Sequence, residues 1–230
     1  PEGGQFSIYF KKGLPFTFAN WQVPKEIDTE AFDLVSSTQT EAKFKKSMHF
    51  ENYSGVALDL MVQRDIKVLS YSQINERLGV EVPAELKTVG FETQNTITNT
   101  GAKAWDQADG MLSIWILSML NASEKTMVVA PFKQDAEGPV YTDDYLGKVP
   151  ADRLRHENGV IFFKADAKYR SKIGISPSRA LPFIGSYDAE KQVLTVAQFD
   201  LPGGNSPYVN GKWELQKDPL SGDAVNAYND

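Results

Sequence analysis

Residues 89–120 read VGFETQNTITNTGAKAWDQADGMLSIWILSML, and the reading of this stretch decides the fold. Glu92, Gln94, Thr96 and Thr98 stand two apart, so an extended chain puts all four on one side. A period of two with one wholly polar face is the pattern of a strand that is wet on one side. Residues 111–120, MLSIWILSML, are apolar at both parities, as a strand buried on both faces would be. Helix is the competing reading for LSIWILSML, but the shortness of the run and its lack of a polar stripe favour a central strand. The pair predicts a deep sheet with one polar surface, which either binds sugars or faces water.

Working outward, further strands are predicted at 5–10, 31–36, 41–50, 55–64, 126–132, 159–163, 169–175, 182–187, 192–199 and 211–216, separated by turns rich in Gly, Asn and Asp. One short helix is predicted over 72–78, capped by Ser72 and ended by Gly79. Residues 133–150 read as a long acidic loop or hairpin carrying Asp143 and Asp144. Closely spaced short strands with one minor helix define an all-β, antiparallel, two-sheet architecture. No repeat or composition break divides the chain, so a single β-sandwich domain over 1–230 is expected. The abrupt ends PEGG and NAYND read as cuts at both ends of a longer parent, whose export to the periplasm or beyond stays open.

Composition narrows the function. With 41% hydrophobic residues in 230, the chain can bury a sizeable core. Thirty acidic against 24 basic residues give a net charge of -6, which argues against general nucleic-acid binding. The Lys43, Lys45, Lys46 cluster sits in an alternating segment and reads as a solvated or edge face in preference to a phosphate patch. The absence of cysteine excludes disulfides and thiolate metal sites. No apolar run reaches membrane-spanning length, so no membrane contact is expected of this segment. No cofactor is implied.

Chemistry is carried by few residues. The chain has two histidines, His49 in KSMHF and His156 in DRLRHENG, too few for a three-histidine metal site. His156 reads as part of a polar turn. Neither a G-x-S-x-G elbow nor a phosphate-cradling glycine loop is present, EGGQ and PGGN being tight turns. Glu92, Gln94 and Thr96 can line one surface at steps of roughly 7 Å and offer hydroxyls both acceptors and amide donors, the display a sugar requires. The competing reading is an ordinary hydrated face. Trp21, Trp105 or Trp115 can supply an aromatic platform, and Arg64 and Arg179 can make fork-like contacts to a hydroxylated or anionic ligand, structural ion pairs being the alternative for both. The candidate catalytic residues are thus Glu92, Arg179 and His49, and the candidate carbohydrate-binding residues Gln94, Thr96, Arg64, Trp105 and Asn205. Asp143, Asp144 and Asp230 are acids that a hard cation would accept, without a regular calcium loop, so the metal question is open. The sequence does not define the oligomeric state.

Taken together, PEGGQFSIYF, GFETQNTITNTGAKAW, LSIWILSML, RALPFIGSYD and GDAVNAYND resemble an uncharacterised bacterial family, found mainly in Bacteroidetes, that is similar to the galactose mutarotase-like superfamily. The resemblance covers nearly the whole chain and implies an antiparallel β-supersandwich whose concave sheet binds sugars. Asn99, Thr100 and Gly101 match the Thr-Asn-x-Gly turn of the mutarotases. Mutarotases then place a histidine in the next strand, where this chain has Ile114, Trp115 and Ile116. Their base is a Glu near the C-terminal end; FETQ around Glu92 looks like that motif but precedes the turn. The resemblance therefore implies a sugar or glycan ligand and leaves the mutarotase reaction itself without its residues. A carbohydrate-binding or carbohydrate-processing protein is the expectation, with a non-enzymatic structural or assembly module on the same fold as the alternative.

Overall fold

The computed structural model describes residues 3–202 and 206–230. Its internal contacts gather into two compact units, Pro1–Ile114 and Trp115–Asp230. Both are built on antiparallel strands.

In the first unit, β1 (Asp33–Ser37), β2 (Glu41–Glu51), β3 (Ala57–Leu69) and β4 (Gly90–Asn99) lie side by side in chain order. The β2–β3 register runs from Glu41 opposite Lys67 to Glu51 opposite Ala57, and β3 pairs onward with β4 from Leu69 opposite Gly90 to Leu60 opposite Asn99. Alternation fixes this register, because slipping by one residue would turn every apolar side chain to the wrong face. Met48, Phe50, Leu58 and Leu60 form the buried cluster on one face, with Ile8, Phe32, Val62, Ile97, Trp105 and Leu112 packed against it. The other face is polar from β2 to β4.

Two short helices accompany this sheet, α1 (Lys25–Asp28) and α2 (Tyr71–Leu78). The α2 cap is Ser70, not Ser72: the Ser70 hydroxyl accepts from the Gln73 amide and the Gln73 side chain accepts from the Ser70 amide. That reciprocal box satisfies two otherwise orphaned donors, and Ser72 only touches the Ser70 hydroxyl at 3.2 Å. Gly79 ends the helix at φ 66°, a left-handed conformation that suits glycine.

In the second unit, β5 (Thr126–Pro131), β6 (Leu154–Glu157), β7 (Val160–Lys164), β9 (Phe183–Asp188) and β10 (Val193–Gln198) form a sheet in the order β10-β9-β5-β7-β6, while β8 (Ser171–Ile175) pairs with β11 (Val225–Asn229). Ala130, Phe132, Leu154, Ile161, Phe163, Ile173, Ile175, Val225 and Ala227 share one buried cluster, so both sheets of this unit contribute to a single core.

Three of the strands expected from the sequence are corrected. Residues 5–10 form no strand; they are irregular and anchored by Phe6 and Phe10, 6% and 3% exposed. Residues 211–216 are likewise irregular. Residues 111–120 are neither strand nor buried: Met111, Ile114, Trp115, Ile116, Leu117, Met119 and Leu120 are all exposed. The cause lies just upstream. The Asn99 side chain accepts from the Gly101 amide and donates to the Lys103 carbonyl, and Asn52, just past the end of β2, donates to the Asp109 carbonyl at 2.9 Å. The chain is thereby drawn across the end of the sheet toward the β2–β3 turn and does not reverse alongside β4. Apolar composition makes a strand only where a backbone ladder is offered. Two strands escaped the sequence reading, β6 inside the supposed polar turn around His156 and β11 in the C-terminal Asn-rich segment.

Candidate functional site

The polar face of the first unit's sheet follows from parity. The register places Asp65 opposite Gln94 and Gln63 opposite Thr96, with Lys67 opposite Glu92 at one end and Met61 opposite Thr98 toward the other. Gln63, Asp65, Gln94 and Thr96 line a concavity of ≈ 210 Å³. That is below the roughly 300–1,000 Å³ of pockets for drug-sized ligands. Its lining offers two amides, one hydroxyl and one carboxylate. Directly opposed side chains in adjacent strands lie within about 5.5 Å, close enough for neighbouring hydroxyls of one ligand to meet both partners.

The carboxylates of Asp65 and Glu92 on this face each meet a cation. Lys43 on β2 reaches the Asp65 carboxylate at 2.9 Å and Glu41 at 3.3 Å. The hydrogen bond to Asp65, then that to Glu41, pushes the Lys43 ammonium above its ordinary value. Arg77, in the last turn of α2, holds Glu92 at 2.6 Å. Asp65 and Glu92 stand diagonally on neighbouring strands, about 7–8 Å apart at the backbone, each beside its own cation. Ion-paired carboxylates remain acceptors for ligand hydroxyls, since each oxygen has more than one lone pair.

The remaining sequence candidates are not gathered here. His49 is on the same face, but its Nδ1 lies 2.6 Å from Asp59 Oδ1, its registered partner on β3. Asp59 and the Lys67 that faces Glu92 are eight residues apart along β3, about 27 Å. His49 and Glu92 therefore cannot act on one reacting atom. Arg64 and Trp105 fall on the opposite face, Arg64 by parity across from Asn95 and Phe44, Trp105 packed against the core cluster. The Arg64 Nε is buried without a hydrogen-bond partner among the described residues. Arg179 belongs to the second unit, 7% exposed, where its guanidinium donates to the carbonyls of Lys133, Gln134 and Gly138. It pins the 133–138 loop. Asn205 lies outside the described residues. Lys46, expected in a solvated cluster, is instead 9% exposed on the core side, its Nζ on the Glu26 and Glu30 carbonyls at 2.7 and 2.9 Å.

The second unit carries polar clusters that the sequence reading missed. Asp166 is buried between Arg153 and Lys164 and accepts from Asn229 Nδ2 and the Lys168 amide. Burial pushes its carboxyl up, but the Lys168 amide, Arg153, Asn229 and Lys164 outweigh this and hold it well below the usual carboxylate range. Asp223 is the opposite case: burial raises it, against the Thr142 hydroxyl that donates to it at 2.6 Å and the nearby charge of Lys172. Gly174 on β8 admits this carboxylate, since a Cβ there would overlap Asp223 and Thr142. Beside it the Lys172 ammonium sits 3.9 Å from the Tyr145 ring and 5.2 Å from that of Tyr228. His156 packs edge-on against Phe132 and Tyr141. Among the described residues no group of three or more His, Asp or Glu is placed to hold a metal ion, and no helix is long and apolar enough to cross a membrane.

The whole chain, residues 1–230, matches the model of a family of unknown function, DUF6786, and the protein belongs to that family. No curated protein matches it. No solved structure matches it either.

Proposed function

We propose that this protein binds carbohydrate on the polar face of the β2–β3–β4 sheet, within a galactose mutarotase-like β-supersandwich. The observation that carries the reading is the concavity lined by Gln63, Asp65, Gln94 and Thr96. It combines amide donors, amide and carboxylate acceptors and a hydroxyl on a rigid sheet, and its one charge is balanced by Lys43. A neutral, many-hydroxyl ring satisfies such a surface without burying an unpaired charge. Binding is favoured over acid–base catalysis, because Glu92 and Asp65 each face a cation and the His49–Asp59 couple lies far along the sheet from Glu92.

Isothermal titration of the protein with a panel of methyl glycosides and short oligosaccharides tests the reading. Saturable binding that Gln94→Ala or Asp65→Asn weakens about tenfold is expected; affinity unchanged in both variants overturns it.

A structural or assembly role is the second reading, and one observation favours it. Phe183, Tyr187, Leu194 and Val196 lie on one face of β9–β10 and are 40%, 42%, 68% and 46% exposed. A contiguous apolar sheet face of this kind is what a second copy would cover. Sedimentation analysis of the wild type against Leu194→Lys decides it: self-association that the lysine abolishes supports assembly, and a monomer in both removes it.

A further inference from the structure

The first unit also holds a row of aromatic rings, none of them among the residues that line the polar concavity. Tyr9 and Trp21 are parallel to within 4° at 5.8 Å between centroids, and Trp21 and Phe18 to within 11° at 6.2 Å. These are offset stacks. Phe18 ends the row and is 75% exposed.

The row is braced from both sides. The Gln22 amide donates to the Tyr9 carbonyl at 2.9 Å, tying the Trp21 segment to the Tyr9 segment. Residues Phe18–Asn20 form a single 3₁₀ turn, closed by the Trp21 amide on the Phe18 carbonyl. The Asn20 amide group donates to the Pro15 carbonyl at 2.9 Å and to the Thr17 hydroxyl oxygen at 3.1 Å. Two residues before Phe18, Phe16 points the other way, against Tyr53 at 4.6 Å and the buried Phe10 at 5.0 Å. Phe16 anchors the segment and Phe18 is held out from it.

We propose that Phe18, backed by Trp21 and Tyr9, is a stacking platform for a single sugar ring, a subsite separate from the sheet concavity. The inference rests on the carbohydrate reading for its ligand class and on the ring geometry for its location. An aromatic face is apolar with a negative quadrupole, and the C–H face of a pyranose is its complement. The polar groups beside the ring suit the sugar's edge: Asn20 uses its N–H bonds internally and keeps its Oδ1 as an acceptor, while the Thr17 oxygen accepts from Asn20 and keeps its proton to donate. A single projecting ring is far short of the roughly 800 Å² per partner of a stable protein interface. The chain's charge of -6 disfavours a stacked nucleic-acid base.

The test is titration of the whole 230-residue chain with methyl β-D-glucopyranoside, methyl β-D-galactopyranoside, cellohexaose and maltohexaose, comparing the wild type with Phe18→Ala, Phe18→Leu, Phe18→Trp and Gln94→Ala. Phe18 is exposed, so circular dichroism should show all Phe18 variants folded. The expected result is about fivefold or greater weakening of at least one saccharide in both Phe18→Ala and Phe18→Leu, with Phe18→Trp binding as well as the wild type or better. Loss in Phe18→Ala with Gln94→Ala unaffected keeps the platform and removes the sheet-face reading. Loss in Gln94→Ala with Phe18→Ala unaffected does the reverse. Phe18→Leu binding like the wild type overturns stacking in favour of simple apolar contact, and no saturable binding of any of the four saccharides overturns both proposals.

Discussion

Arg77 and Glu92 meet at 2.6 Å across the junction of α2 and β4, so the carboxylate that stands out most in the sequence is held by an arginine one helix away. Their side chains are 61% and 44% exposed, and an exposed pair of this kind contributes about 1 kcal/mol or less. Glu92→Gln is therefore expected to leave chemical-denaturation stability within ~1 kcal/mol of the wild type and saccharide affinity within about threefold. Loss of all binding or turnover in that variant would restore Glu92 as the reacting group.

Arg179 is the counter-example of a functional-looking residue with a structural task. Its guanidinium is buried and directed at three backbone carbonyls, those of Lys133, Gln134 and Gly138. A lysine's compact ammonium lacks the planar fork that spreads donors over carbonyls on either side of the loop. Arg179→Lys should destabilise the protein by ~2 kcal/mol or more in urea titration, because buried carbonyls lose their donors. Saccharide affinity of the folded variant should not change; a selective loss of binding at undiminished stability would show the arginine to be a ligand contact.

The polar strand face was legible because side-chain parity in a strand is a local property: Glu92, Gln94 and Thr96 share a side once the strand exists. The hairpin of β2 and β3 was legible for the same reason. What the sequence hid depends on distant partners. The alternating pattern cannot say that Gln63 and Asp65, and not an aromatic, stand across from Thr96 and Gln94; only the β3–β4 register does. Nor can apolar composition announce that residues 111–120 lack a ladder, since that follows from Asn52 holding the Asp109 carbonyl, a contact across 57 positions. Trp21 was named as an aromatic platform from the sequence, but its stacking with Phe18 and Tyr9 was not legible, because the rings are neighbours through a turn whose geometry no strand or helix period encodes.

Asp166 predicts an acid limb for the second unit. Its folded carboxyl titrates below the usual range, so the unfolded chain takes up the proton first as the pH falls. The stabilisation is complete above the ordinary value of 3.8 and is lost as the pH drops from there through the folded value. Urea midpoints should fall steeply between about pH 4 and pH 2, at up to ~1.4 kcal/mol per pH unit for this group. Asp166→Asn should be less stable by ~3 kcal/mol near neutral pH, since Arg153 loses its buried partner, and should lose most of that slope. An unchanged acid limb in the variant would assign it to other carboxylates.

Asp223 predicts the opposite sign. Burial favours its neutral form, so the folded carboxyl holds its proton to a higher pH than the unfolded one. Its contribution is fully present below the ordinary value of 3.8 and is lost as the pH rises through the folded value. Asp223→Asn keeps an oxygen to accept from Thr142 and removes the charge. Its denaturation midpoint should exceed that of the wild type at pH 7, and the two should converge as the pH falls toward 3.8. Gly174→Ala supplies the geometric control, because a Cβ there overlaps the same carboxylate and the Thr142 hydroxyl. It should cost about 1–3 kcal/mol at every pH. A variant Asp223→Asn that is less stable than the wild type at pH 7 would mean that the ionised carboxylate, through Thr142 and Lys172, holds the 142–145 loop against β8 more tightly than burial opposes it.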